Sequence, residues 1–253
     1  MNPIKKIIYQ YTIPFIGWLC RSKNQYVNVI YYHDIVRGKG KSFQQTNIEI
    51  FKRQMAYIAN HGYQTLRFDD LQEKSDEAYN PKKIIIAFDD GWKSNYTEIY
   101  DLMKSLGLKY NIYLAVKEIG SNSDYLTWNQ VRKMHDEGFV GFGAHTYSHP
   151  DISDIKKIDS EMEFSKADSI FEKELGYIPL DFCYPYGLYS EESNEYISSK
   201  LNYKRIYTSC YMYSYRQNSK LIFGRCGISN DETFGVFKAK LNGYFNVWST
   251  LFK

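Results

Sequence analysis

Apolar residues alternate along the chain between short continuous runs and longer stretches at helical spacing. Residues 27–33, 63–66, 84–88, 110–116, 139–144, 181–184 and 205–208 are apolar, β-branched or aromatic runs of strand length. Ile48, Phe51, Met55, Ile58 and Ala59 fall on one helical face across residues 48–60. A short helix is expected after Asp69, where Asp69 and Asp70 would cap it and complement its dipole. Another starts near Asn95, with Glu98 three residues on as a capping box, and stops before Gly107. Thr127 and Gln130 form a second capping-box pattern, opening a helix that closes at Gly138. Helices are also expected over about 156–175 and 190–200. Four times, at Gly62, Gly107, Gly138 and Gly176, a helix ends in glycine and a strand follows within a few residues. That alternation predicts an α/β fold of parallel βα units around one core. No linker or shift in composition divides it, so residues 1–253 are expected to form a single domain.

The two ends depart from this rhythm. In an N-terminal arm of about residues 1–24, Lys5 and Lys6 precede the apolar run 7–19, which is interrupted by Pro14. The run is too short to span a bilayer and has no small-x-small cleavage pattern. A packing arm and an interfacial segment with basic flanks are both open. The C-terminal segment of about 231–253 carries Phe234, Phe237, Tyr244, Phe245, Trp248 and Phe252 among lysines. It predicts an aromatic amphipathic helix or pair, either packed on the outside of the fold or in peripheral contact with a membrane.

Composition narrows the classes. Lys plus Arg total 32 against 29 acids, a net charge of +3 with no basic stripe, which gives no case for nucleic acid. The four cysteines form no CxxC pair, as expected of free thiols in a reducing compartment. With no clear signal peptide, the expected location is cytoplasmic or peripheral to the membrane. Twenty-five tyrosines suit core packing or stacking on sugars.

Two polar clusters carry the candidate chemistry. The apolar run 84–88 leads straight into Asp89-Asp90-Gly91. Asp-Gly is ordinary turn chemistry, but a doubled carboxylate beside a buried strand is costly unless its charge is compensated. The run 139–144 leads into His145-Thr146-Tyr147-Ser148-His149, two imidazoles at i and i+4. With one of the two carboxylates these form an Asp-His-His set with room for a water, and the other carboxylate can serve as a base.

Phe88-Asp89-Asp90-Gly91 and His145-Thr146-Tyr147-Ser148-His149 resemble the first two motifs of the polysaccharide deacetylase family (carbohydrate esterase family 4, the NodB homology domain). Ala87 stands where the family has threonine. Phe182-Cys183-Tyr184-Pro185-Tyr186-Gly187 is similar to the third motif, usually Arg-Pro-Pro-Tyr-Gly. The resemblance spans about residues 25–230. It implies a distorted (β/α)7 barrel and metal-dependent hydrolysis of an N-acetyl group on an amino sugar of a polysaccharide or glycan-linked lipid. Asp90, His145 and His149 would hold a divalent ion, zinc first, with cobalt, nickel or iron suiting similar ligands. Asp89 would be the base, and the Tyr186 backbone N–H would help hold the oxyanion.

Two departures stand out. Cys183 replaces the arginine that normally pairs with the base, and no histidine follows His149 to serve as the late general acid. Tyr31-Tyr32-His33-Asp34 is similar to the Tyr-His motif of the branch that deacetylates poly-N-acetylglucosamine, where an early histidine takes the acid role and the third motif also lacks arginine. His33 is therefore the expected acid. Arg225 is expected in an ordinary ion pair, with replacement of the lost arginine as the alternative. Trp128 is assigned to sugar binding with Tyr186, and Tyr147 and Tyr189 are weighed for stacking, while His61 and His135 receive no role. Two further functions stay open: a catalytically impaired glycan-binding relative, and a deacylase or deformylase acting on another carbohydrate amide.

Overall fold

The computed structural model describes residues 7–20, 26–71 and 79–248. Its elements begin with helix α1 (Ile13–Leu19), strand β1 (Asn28–Tyr32), and a small parallel ribbon of β2 (Asp34–Val36) and β3 (Gln45–Asn47). Helix α2 (Ile48–Asn60) and β4 (Gln64–Thr65) lead to β5 (Lys83–Phe88), followed by the short helices α3 (Ser94–Thr97) and α4 (Tyr100–Ser105). Then come β6 (Tyr110–Leu114), α5 (Trp128–Asp136), β7 (Val140–Ala144), α6 (Lys166–Leu175), β8 (Asp181–Cys183), α7 (Glu191–Lys200) and β9 (Arg205–Tyr207). The chain closes with β10 (Tyr215–Gln217), β11 (Lys220–Phe223), β12 (Cys226–Gly227) and α8 (Phe234–Leu241).

The strands run in the order β12-β1-β5-β6-β7-β8-β9-β11-β10, parallel throughout except where β10 turns back on β11. β11 pairs with β9 at one end of this path and β12 pairs with β1 at the other, yet only Gly224 and Arg225 separate them. The last stave thus crosses the opening between the first and sixth. Counting β11–β12 as one split stave gives seven parallel staves, a distorted (β/α)7 barrel.

Side chains alternate across the barrel wall, as pleated strands require. Val29, Ile85, Ala87, Tyr113, Cys183, Tyr207 and Phe223 share one cluster, the barrel lumen. Ile30, Tyr32, Ile84, Ile86, Phe88, Ile112 and Leu114 belong to the larger cluster under the helices. Both faces are buried, which explains why the strands read as nearly continuous apolar runs. Phe68 closes the N-terminal end of the lumen, its ring 4.9 Å from Tyr113 and 5.5 Å from Tyr207. At the same end Arg205 donates two bonds of 2.6 Å to buried Asp181.

Most expected elements are present, with local differences. Thr127 caps α5 with Gln130 as expected. Asn95 caps nothing: it is fully buried, and its Nδ2 donates to the His33 carbonyl at 3.0 Å. The helix begins instead at Ser94, whose hydroxyl donates to Asp34 at 2.7 Å. The long helix over 156–175 is broken into a 3₁₀ turn, Ile155–Lys157, and a helix wound with π-type bonds over Glu161–Ser165 before α6. The helix expected after Asp69 lies largely outside the described residues; within them is a 3₁₀ turn, Phe68–Asp70, whose Asp70 accepts from the Arg67 N–H at 2.8 Å.

The terminal segments pack against each other. Gly17 of α1 sits so close to the Tyr244 carbonyl that a Cβ there would lie 1.8 Å from its oxygen. Tyr9 donates to Glu232 at 2.8 Å, and Glu232 pairs with the buried ammonium of Lys240. Within the described residues the C-terminal segment is a pair, α8 and a 3₁₀ turn Tyr244–Val247, separated by left-handed Gly243; Phe252 lies outside the described residues.

Closure at residue 224 leaves no space for a side chain. A Cβ there would meet the carbonyl oxygens of Met212 at 2.4 Å and Cys210 at 2.7 Å. Gly224→Ala should therefore destabilise the fold by about 1–3 kcal/mol, read as a lower urea midpoint at unchanged slope.

Candidate metal and catalytic centre

The C-terminal ends of the parallel strands meet at one cavity of about 150 Å³, lined by Tyr31, His33, Phe43, Asp89, Asp90, His145, His149, Tyr186 and Ser209. The ends of parallel staves are where such barrels carry their chemistry. The Asp89 N–H continues the ladder by donating to the Tyr32 carbonyl at 3.0 Å. The backbone then turns left-handed at Asp90, with φ 72°, and at Gly91. Six non-glycine residues among those described have φ in this region, and Asp90, Thr146, His149 and Tyr186 are four of them. Such strain persists only where its surroundings over-determine it.

Those surroundings are visible. Trp92 Nε1–H donates to Asp90 Oδ2 at 3.0 Å, and its indole stacks on Tyr125 at 4.6 Å. Asp90 Oδ1 is thereby turned toward His145 Nε2 at 3.5 Å and His149 Nε2 at 3.3 Å. His145 Nδ1 lies 2.8 Å from the Cys183 carbonyl, so Nδ1 carries a proton and Nε2 is the nitrogen that faces Asp90 and His149. The 145–149 loop hangs on buried Glu163, which accepts from the Ser148 N–H at 2.8 Å and hydroxyl at 2.6 Å.

Asp89 has a different partner. Arg225, fully buried at the barrel seam, donates Nη1–H to Oδ1 at 2.6 Å and Nη2–H to Oδ2 at 2.9 Å. Its Nε–H donates to the Thr208 carbonyl at 3.1 Å, and its guanidinium lies 4.2 Å from the Tyr31 ring centre. Burial by itself would raise the Asp89 pKa, but the charge and bonds of Arg225 hold it below the usual carboxylate range. His33 Nε2 stands 3.9 Å from Asp89 Oδ2. Asp90, too, is opposed by burial yet held well below its ordinary value by His145 and the neighbouring imidazoles.

The two imidazoles bring their Nε2 atoms within 3.2 Å of each other, leaving room for one positive charge between them. Burial works against charging His145, but Cys183 and the bond to Asp90 raise its pKa well above the ordinary value. Burial and the adjacent His145 push His149 down to about 4. A divalent cation fits this set as well as a proton does. The three donor–donor spacings of 3.2, 3.3 and 3.5 Å match the edge of about 3.3 Å expected for a tetrahedron with ligand bonds of about 2.0–2.1 Å. Asp89, His145 and Cys183 also converge, but both oxygens of Asp89 already accept from Arg225, and burial raises the Cys183 thiol.

The structure thus brings His33, Asp89, Asp90, His145, His149 and Tyr186 to one cavity. It does not bring Trp128 there: that ring packs on Phe171 with centres 6.3 Å apart. Tyr147 lies under the Lys166 ammonium at 4.0 Å, and Tyr189 packs on Tyr184 at 5.4 Å. Trp92, Glu163, Phe43 and Ser209 were not singled out from the sequence. Trp92 follows the Asp-Asp-Gly run directly and was the one within reach of a local argument.

A family model described as polysaccharide deacetylase matches residues 76–206. The Bacillus subtilis (strain 168) protein YxkH, named for that family, is 28% identical over 179 residues, covering 70% of this chain and 62% of its own. A peptidoglycan-N-acetylglucosamine deacetylase of Bacillus cereus is 31% identical over 110 residues, 43% of this chain and 38% of that one. The chain therefore spans less than two thirds of the length of these relatives. Among solved structures, the Streptococcus pyogenes deacetylase PplD in complex with acetate superposes with a TM-score of 0.71 at 20% identity, over 92% of this chain and all of that one.

Two measurements probe the centre. Arg225→Met strands a buried carboxylate and should cost about 3–5 kcal/mol in denaturant unfolding. Trp92→Phe frees Asp90 Oδ2 and should weaken zinc binding about tenfold or more by isothermal titration, with the fold unchanged.

Proposed function

The chain belongs to the polysaccharide deacetylase family, and from that premise we propose that it hydrolyses the N-acetyl group of an amino sugar within a glycan, as one domain that includes the packed segments 7–20 and 234–248. The observation that carries this is the convergence of Asp90, His145 and His149 beside a carboxylate, Asp89, held ionised by Arg225. Asp90, His145 and His149 would hold a divalent ion, most simply zinc given two nitrogens and one oxygen. When bound, that ion supplies Lewis acidity toward water and the acetamide carbonyl.

The remaining steps belong to side chains of the protein. Asp89 takes the proton of the attacking water. Arg225 occupies one lone pair on each of its oxygens, and each carboxylate oxygen has a second left to accept it. The Tyr186 N–H donates to the oxyanion, a role supported by the residue's place in the cavity lining on a loop turned left-handed at φ 57°. His33 gives a proton to the departing amine; its backbone is held by the ladder end at Tyr32 and by Asn95, which donates to its carbonyl, and its ring packs against Tyr31 with centres 5.6 Å apart. The small cavity supports a short acyl group, and Phe43 beside His33 and Tyr186 beside His149 present exposed rings at its mouth for the sugar. An inert glycan binder was suggested by the arginine missing at Cys183, and Arg225 in contact with Asp89 removes that motive.

Acetate release from N-acetylglucosamine oligomers by zinc-loaded protein tests the proposal; no release from any N-acetylated glycan or lipid-linked sugar would sink it. Asp89→Asn should lower kcat by about 10²–10⁴-fold. His33→Gln should slow amide hydrolysis by a similar factor yet leave p-nitrophenyl acetate hydrolysis nearly intact, because that leaving group needs no proton. Equal losses on both substrates would remove His33 from the acid role. Phe43→Ala should raise KM with kcat little changed.

A further inference from the structure

Helix α1 and the π-wound turn Ile8–Thr12 before it form one arm whose two sides are both apolar. The inner side is accounted for: Ile13 and Gly17 are buried, and Tyr9 packs on Phe245 with ring centres 5.0 Å apart. The outer side presents Ile8, Tyr11, Phe15, Trp18 and Leu19, the last four between 57 and 68% exposed. Phe15 and Trp18 sit side by side, their rings 6.2 Å apart. A helix apolar all round belongs in a core or in lipid, and only half of this one is in a core. Contiguous exposed apolar surface of this kind marks an interaction site.

Charge selects the occupant. Residues 7–20 contain no ionisable acid or base other than Tyr9, Tyr11 and Cys20, whereas Lys5, Lys6, Arg21 and Lys23 flank them in the sequence and the first acid of the chain is Asp34. Packing this face on a second copy would bring basic flanks together. Anionic headgroups would neutralise them while Trp18 and Tyr11 take the interfacial positions such rings favour. Among the described residues no helix is long and apolar enough to cross a membrane, so the arm would lie along the surface.

We propose that the outer face of this arm seats the protein on an anionic lipid bilayer, with Tyr11, Phe15, Trp18 and Leu19 in the headgroup–acyl boundary. This is independent of the proposed reaction, and its test reads no activity. The protein of residues 1–253 should float with phosphatidylcholine vesicles containing about one third phosphatidylglycerol, and bind pure phosphatidylcholine at least about tenfold more weakly. The triple variant Tyr11→Ser/Phe15→Ser/Trp18→Ser should lose at least about tenfold in flotation with an unchanged melting temperature. A bromine-labelled acyl chain should quench wild-type emission more than that of Trp18→Phe, a milder change that keeps the measurement available if the triple variant unfolds. The proposal is overturned if the wild type does not float, if the variants float and quench like it, or if light scattering shows a dimer that the triple variant dissolves.

Discussion

A carboxylate at the end of a buried strand has to be compensated, and the ion pair of Asp89 with Arg225 is the constraint that organises this molecule. Asp89 directly follows β5 and Arg225 lies in the two-residue step between β11 and β12, so 136 positions of chain separate partners 2.6 Å apart. That step is also where the barrel closes. The guanidinium can reach Asp89 only when β11 lies on β9 and β12 lies on β1. Formation of the Asp89–Arg225 pair and closure of the barrel therefore depend on each other. Gly224 makes the step tight enough for it, having no side chain to hold the carbonyls of Met212 and Cys210 apart.

The rest of the centre answers the same cost in another way. Asp90 lacks a guanidinium and faces two imidazoles, whose Nε2 atoms converge on its Oδ1. Two adjacent acids thus reach low pKa values through different partners, a guanidinium for Asp89 and imidazoles for Asp90. The left-handed turns at Asp90, Thr146 and His149 bring these groups together. The bonds from Trp92 to Asp90 and from Ser148 to Glu163 keep them there.

Much of the fold was legible in the sequence because strands buried on both faces and glycine-ended helices are local signals. The ligand and base candidates were legible for the same reason: Asp89-Asp90 and His145–His149 are contiguous motifs at strand ends. Arg225 was not, since nothing near it in sequence distinguishes a residue that spans a seam from one in an ordinary ion pair. Trp128 has the composition of a sugar platform, but helical phase turns it onto Phe171, and residue type carries no phase. Asn95 was misjudged as a cap because its side chain is bonded to the His33 carbonyl, a tertiary demand that overrides a local preference.

Cys183 shows how the same site tolerates a different source of charge. Its backbone carbonyl holds His145 Nδ1, a role that any residue at this position can fill. Its side chain points into the packed lumen with Tyr113 and Tyr207, within the field of Arg225. A second guanidinium there would compete with Arg225 for Asp89 and for the space beside Tyr31 and Tyr113. With the arginine delivered through the seam, a small, uncharged residue at 183 is what the lumen can accommodate. The departure in the third motif and the tight closure at 224–225 are therefore two halves of one solution, because losing either half would leave Asp89 buried without a counter-charge or the lumen with one cation too many.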